Sequence, residues 1–318
     1  METLENKDIF EISEILLEDS KIILEDISGY KLEELFDQIQ QSPPNIISSI
    51  YNSDKIINDS ELVKKGIYPY RSLLSEKTVN YRRKKLNLHT HPYFQEWDKN
   101  GTLVIENFLP FQDFENLQFQ LNSNKESGQS INLSSLSKFT DLVEMCLATP
   151  KNQGYHPSLG SEYIIHQSGD DQVNLHSDIF HPNLKIWLYI NDCNLDNGPY
   201  SYVFKSHKKT PKMLKFIHEQ GLIWDKGIKH PDFFKYNANE KAMGSPRLSR
   251  SQNCTTDNLD ELNKKLEELD LPPITTLKAK ANTIIFTDTT GFHARGYAKP
   301  GSERYSLRNA FRINPFII

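Results

Sequence analysis

The last stretch of the chain alternates with unusual regularity, and that alternation narrows the fold. Arg304, Ser306, Arg308, Ala310 and Arg312 occupy the even positions, and Tyr305, Leu307, Asn309, Phe311 and Ile313 the odd ones. In an extended strand, alternate side chains point to opposite faces. One face is therefore mostly apolar and the other carries charge. Such a strand suits a sheet that packs helices on its apolar side and lines a cavity with its polar side. Other short strands are expected at Glu162–His166, Gln172–Asp178, Lys185–Ile190, Tyr200–Phe204 and Thr283–Thr287, with a tight turn at Asn197-Gly198. Many short strands with polar turns predict an antiparallel sandwich or barrel.

Residues 1–90 read as a separate helical extension. Ile9–Leu17 and Leu32–Ile39 have helical apolar spacing, and Pro43-Pro44 ends the second. This stretch fits a packing extension or the contact of a homodimer. A sharper alternative has Tyr68-Pro69-Tyr70-Arg71 closing over a site. Residues 91–318 form the main domain. Its expected order is a short helix at Tyr93–Trp97, a strand at Gly101–Ile105 and a helix from Leu109-Pro110 to Leu121. A Ser/Asn-rich loop over 122–135 and a helix at Leu136–Leu147 follow. Residues 207–275 interrupt the strand series as an insertion, with a helix at Leu259–Leu269 that Pro272-Pro273 ends. Such insertions are often lids or substrate walls. The run Gly244–Arg250, with Arg247 at its centre, suits a basic lid reaching an acidic substrate or a plain solvated loop.

Composition removes several classes of function. The formal net charge of −5 gives no bulk attraction to nucleic acid. No run of about 18 apolar residues is present, so no membrane span is expected. Cys146, Cys193 and Cys254 are odd in number and lack C-x-x-C spacing, which disfavours a disulfide framework or a structural zinc site. Reduced thiols and an acidic start, Met1–Glu5, without an apolar segment predict a cytoplasmic protein.

The chemistry concentrates at Asn174-Leu175-His176-Ser177-Asp178. His176 and Asp178 share one strand face and could grip a single ion. The best third ligand is far downstream, in Gly291-Phe292-His293. Two His and one carboxylate on one side of a metal leave up to three positions free, which suits ferrous iron binding a cosubstrate and dioxygen together. Zinc accepts the same donors, so the ligand set alone leaves the metal open. Arg304 lies eleven residues after His293, with Ser306 on the same strand face. A guanidinium beside a hydroxyl makes a carboxylate clamp. A dicarboxylate such as 2-oxoglutarate fits, its keto-acid end on iron and its distal carboxylate on the clamp.

Blander roles compete. There are ten histidines, so a chance H-x-D pair is not rare. His181 suits a loop or supporting role, His207 a structural hydrogen bond, and His156 and His166 have no partner pattern. Arg308 and Arg312 suit either an anionic substrate or a solvated strand edge.

Taken together, the motifs resemble the Fe(II)/2-oxoglutarate oxygenases, and more narrowly the phytanoyl-CoA dioxygenase family. The supporting pieces are His176-Ser177-Asp178, Gly101–Pro110, Ile186-Trp187-Leu188, Asp196-Asn197-Gly198-Pro199 followed by Lys205-Ser206-His207-Lys208, and His293 with Arg304. They cover about residue 90 to the C-terminus. The resemblance implies a mainly β fold with flanking helices, a double-stranded β-helix or jelly roll. It implies His176, Asp178 and His293 as iron ligands, and Arg304 and Ser306 on the distal carboxylate. It also implies oxidative decarboxylation of 2-oxoglutarate with O2 to succinate and CO2, and hydroxylation of a small-molecule substrate. Trp187 matches a cosubstrate-pocket aromatic. Tyr163 on the preceding strand is a further candidate, and Gln172 and Asn174 share the face of His176. Arg295 departs from the family, which has a small hydroxyl residue there; it faces substrate or competes with Arg304. The intact Asp178 disfavours halogenation. The rivals are a metal hydrolase on a cupin-like barrel and a ligand-binding relative without turnover.

Overall fold

The computed structural model describes residues 67–123, 130–133, 136–148, 160–166, 175–178, 181–225, 256–296 and 298–311. The two helices expected before residue 40, and the expectations placed on Gln172, Asn174, His156, Arg247, Cys254 and Arg312, lie outside these residues.

Among the described residues, nine strands form two sheets. They are β1 (Thr102–Ile105), β2 (Ser130–Asn132), β3 (Gly160–His166), β4 (Leu184–Tyr189), β5 (Tyr200–Tyr202), β6 (Thr275–Leu277), β7 (Ile284–Thr287), β8 (His293–Arg295) and β9 (Arg304–Phe311). The large sheet has the order β1-β7-β4-β9-β3-β2, and the small sheet the order β6-β5-β8. Every paired neighbour is antiparallel. Non-sequential neighbours in two sheets are the mark of a jelly roll, the expected fold. The helices are α1 (Ile67–Lys85), α2 (Phe94–Asn100), α3 (Phe111–Ser123), α4 (Ser137–Leu147), α5 (Pro211–Asp225) and α6 (Thr256–Glu268).

The alternation of β9 sorts the core as its sequence implies. Its odd positions Tyr305, Leu307 and Phe311 join Leu103, Ile186, Leu188, Ile284 and Phe286 in one cluster. That cluster packs against Trp97 of α2, Phe114, Leu117 and Leu121 of α3, and Phe139, Leu142 and Val143 of α4. The opposite face of the large sheet meets the small sheet. There Trp187, Tyr189 and Ile285 pack on Tyr200 and Tyr202. Asn309 breaks the apolar rule on β9, and its buried amide oxygen accepts a 2.6 Å bond from Ser161 Oγ.

Gly198 and Gly101 each combine a positive φ with a close approach. Gly198 has φ 74°, and a Cβ there would stand 2.9 Å from the carbonyl oxygen of Gly296. This is the tight turn expected at Asn197-Gly198, and only glycine meets both demands. Gly101 ends α2 at φ 73°, where a Cβ would strike His207 Nδ1 at 2.4 Å. Asn282 closes another junction: its amide bonds the Leu109 N–H at 2.9 Å and the Leu109 carbonyl at 2.8 Å, pinning the start of α3 to the sheet.

The expected loop over 122–135 contains β2, which pairs with the edge of β3. Three residues are too few for a periodic signal, so only the partner strand reveals it. The insertion joins β5 to β6, and these two pair with each other. Its helix α5 packs on α1, where Tyr68 leaves no room for a Cβ at Gly221. Arg83 of α1 also donates to the Cys146 carbonyl at 3.0 Å, so this last part of the N-terminal stretch is fastened to the main body. Cys146 and Cys193 are free thiols. Among the described residues no helix is long and apolar enough to cross a membrane.

Candidate metal centre and anion clamp

His176 and His293 face each other across an isolated antiparallel bridge. Each donates its backbone N–H to the other's carbonyl, at 3.0 and 2.8 Å. A directly paired position puts two side chains side by side on one face, and the imidazole centroids lie 4.5 Å apart. Asp178, two residues on, is held by its N–H donating 2.8 Å to the Thr289 carbonyl. Its Oδ1 lies 3.7 Å from His176 Nε2, and its Oδ2 3.7 Å from His293 Nε2. One ligand atom from each residue falls within 4.8 Å of the others.

The donors fit a divalent ion. His293 Nδ1 lies 2.9 Å from the Gly291 carbonyl, which can only accept, so Nδ1 carries the proton. That leaves the Nε2 lone pair aimed at the carboxylate, the usual way a ligand histidine is oriented. Burial raises the Asp178 pKa, but the Lys185 ammonium beside it outweighs this and helps hold the carboxyl well below the usual range. The carboxylate is thus an anion at any working pH. Two imidazoles and one carboxylate leave coordination positions for other ligands.

Lys185, which sequence reasoning passed over, reaches this carboxylate from the large sheet. Its Nζ lies 2.5 Å from Asp178 Oδ2. A signal was present: Lys185 is in phase with Trp187 on a strand otherwise apolar, so it had to enter the same interior.

Arg304 and Ser306 stand on the inner face of β9, opposite His166 and Ile164 of β3. Both are buried, at 3% and 0% exposure. Arg304 donates one terminal N–H to the Gly198 carbonyl and lies over the Tyr189 ring at 5.9 Å. Its Nε and the Ser306 hydroxyl are buried without a hydrogen-bond partner. Buried donors left unpaired are costly, and an oxyanion would satisfy both.

Arg295 lies two residues beyond His293 on the same face, and its guanidinium contacts His166 Nδ1 at 3.3 Å. Burial, then the charges of Arg304, Arg295 and Arg308, push the His166 pKa down to about 3. His166 is therefore neutral and accepts from Arg295. It had shown no partner pattern in sequence, because its partners come from β8 and β9. Arg308 is on the inner face, opposite Trp187.

Trp187 packs on Tyr200 with centroids 4.6 Å apart, and Tyr200 lies 5.9 Å from the His293 ring. These two aromatics wall the centre, Tyr200 unforeseen. Tyr163 does not belong with them. It pairs with Leu307 and lies in the cluster under the helices, because β3 presents odd positions to that layer. His207 plays the structural part expected: its Nε2 meets the Asp98 carbonyl at 3.1 Å. His181 bonds the Pro182 carbonyl at 2.9 Å.

No family model matches the chain, and no curated protein matches it. Solved structures do. HygX from Streptomyces hygroscopicus, in its apo form, is 13% identical over 70% of this chain and 85% of its own, with a TM-score of 0.37. The same protein has been solved with nickel and 2-oxoglutarate bound. The α-ketoglutarate-dependent epimerase SnoN from nogalamycin biosynthesis is 12% identical over 72% of this chain and 87% of its own, at a TM-score of 0.39. The carbocyclase SnoK from the same biosynthesis is 11% identical over 70% and 83%, at 0.36. SnoN and SnoK are non-haem, α-ketoglutarate-dependent enzymes, but likenesses this remote assign no chemistry. The functional case stands on the chain's own residues.

Proposed function

We propose that this protein is an Fe(II)- and 2-oxoglutarate-dependent dioxygenase that oxidises a small molecule, releasing succinate and CO2. The observation that carries this is the buried pair of unpartnered donors, Arg304 Nε and Ser306 Oγ, on the inner face of a jelly roll that also presents the triad. A hydrolytic metal site needs a water and a substrate carbonyl; it does not call for an arginine and a hydroxyl two residues apart on the strand face that lines the same interior. A dicarboxylate does.

His176, Asp178 and His293 would hold the iron, which when bound supplies the activation of dioxygen. Arg304 would orient the distal carboxylate through a charge-assisted bond, and Ser306 would donate the second. Trp187 and Tyr200 would exclude water from the keto-acid end. Arg295 and Arg308 would meet an acidic group of the substrate. A reducing cytoplasm suits the free thiols. Hydroxylation is the simplest outcome; the same centre is compatible with epimerisation or ring closure, the reactions named for SnoN and SnoK.

The test is anaerobic addition of Fe(II) and 2-oxoglutarate to the purified protein. A visible charge-transfer band is expected only with both present, and succinate should form once air is admitted. Metal binding without any 2-oxoglutarate dependence would return the choice to a hydrolase.

A further inference from the structure

Lys185 is a charged group that touches the triad yet belongs to neither the triad nor the clamp. It stands on β4 opposite Thr287 of β7 and Ala310 of β9, in phase with Trp187 and Tyr189. It therefore enters the inter-sheet space from the large sheet, while both ligand histidines come from the other side. Its side chain is 18% exposed and that of Asp178 is 12%. The oxygen it touches at 2.5 Å is also the one 3.7 Å from His293 Nε2.

A divalent ion bound to that oxygen at about 2 Å lies within about 5 Å of the ammonium. Little water screens a pair this buried. The single negative charge of Asp178 then serves two cations, and the imidazoles add none. With the ion bound, three positive charges face one negative charge, an excess of two. An oxo-acid carboxylate arriving beside the metal offsets one of these two charges and weakens the repulsion.

We propose that Lys185 couples metal binding to oxo-acid binding: it holds down the triad's own affinity for a divalent ion, and the incoming carboxylate relieves the repulsion. By reciprocity each ligand then tightens the other by the same factor. Metal is retained firmly only with cosubstrate present. This rests on the oxo-acid assignment above. The opposite role is a plain support that orients Asp178. Removing a support of that kind lowers metal affinity about 10- to 100-fold, so the two roles differ in sign.

The experiment is a Co(II) titration followed by visible absorption, with and without 2-oxoglutarate, on the full chain and its Lys185→Met and Lys185→Arg variants. Circular dichroism checks folding, and Lys185→Gln replaces the Met variant if that one is unfolded. In the unaltered protein, 2-oxoglutarate should tighten Co(II) at least about 10-fold. Lys185→Met should bind Co(II) alone at least about 10-fold more tightly, and the enhancement should shrink to about twofold or less. Lys185→Arg should keep the coupling. Co(II) affinity in Lys185→Met that is unchanged or weaker overturns the proposal. So does an undiminished enhancement in that variant, which leaves the oxo-acid assignment standing. If the unaltered protein binds Co(II) but no 2-oxoglutarate, the dioxygenase assignment itself falls, and the coupling with it.

Discussion

His176 and His293 exchange backbone hydrogen bonds at 3.0 and 2.8 Å, so a two-way backbone bridge holds the two imidazoles side by side. Asp178 is less constrained, with one backbone bond to Thr289. The triad thus has two rigid members and one that its electrostatic partners orient.

Substituting the anion should separate binding from folding. Asp178→Ala is expected to lose at least about 100-fold in Co(II) affinity, since one of three ligands is gone. It also strands the mostly buried Lys185 ammonium, and breaking such a pair costs about 3 kcal/mol before any discount for exposure. Titration and a urea melt on one sample check both; near-native metal affinity would remove Asp178 from the ligand set.

The clamp should act on cosubstrate alone. Arg304→Ala is expected to weaken 2-oxoglutarate binding by about 10- to 100-fold, the worth of a charge-assisted bond, with metal affinity within a few-fold of the parent. Ser306→Ala should act in the same direction by less. Isothermal titration with 2-oxoglutarate into the Co(II) protein measures this. An effect confined to Arg295 or Arg308 variants would move the clamp.

Gly198 should resist substitution. Gly198→Ala has to hold φ 74° and clear the Gly296 carbonyl, which predicts a loss of about 1–3 kcal/mol. A scanning calorimeter reads this as a lowered Tm. An unchanged Tm would mean that the turn has relaxed.

Acid should weaken the fold in two stages. Burial and nearby cations push His166 and His207 down to about 3. Their native pKa is depressed, so the unfolded state takes up protons first as pH falls. Each then costs up to about 1.4 kcal/mol per pH unit from about 6.5 down to about 3. Asp178 is also depressed, but it is an acid. Its stabilisation is present above the ordinary carboxylate range and is lost as pH falls below about 4. Urea midpoints between pH 7.5 and 4.5 should decline, and less steeply in His207→Gln. Equal slopes in parent and variant would contradict a neutral buried His207.

Local pattern made much of the fold legible. The alternation over Arg304–Phe311 announced which face would meet the helices, and β9 obeys it because a pleated strand cannot present neighbours on one side. Asn197-Gly198 announced its turn for an equally local reason. Tyr163 shows where such reasoning stops. Its strand was foreseen, but which of its faces met the helices depended on register with β9, and a shift by one residue would reverse it.

The sequence by itself determined the candidate ligand types, the candidate clamp pair and the strand alternation, since each depends on residue identity and short spacing. The tertiary structure alone decided which distant residues touch. It brought His293 beside His176, set Lys185 against Asp178 and put His166 between Arg295 and Arg304. These contacts arise from strand pairings between segments far apart in sequence, and no local periodicity encodes a partner.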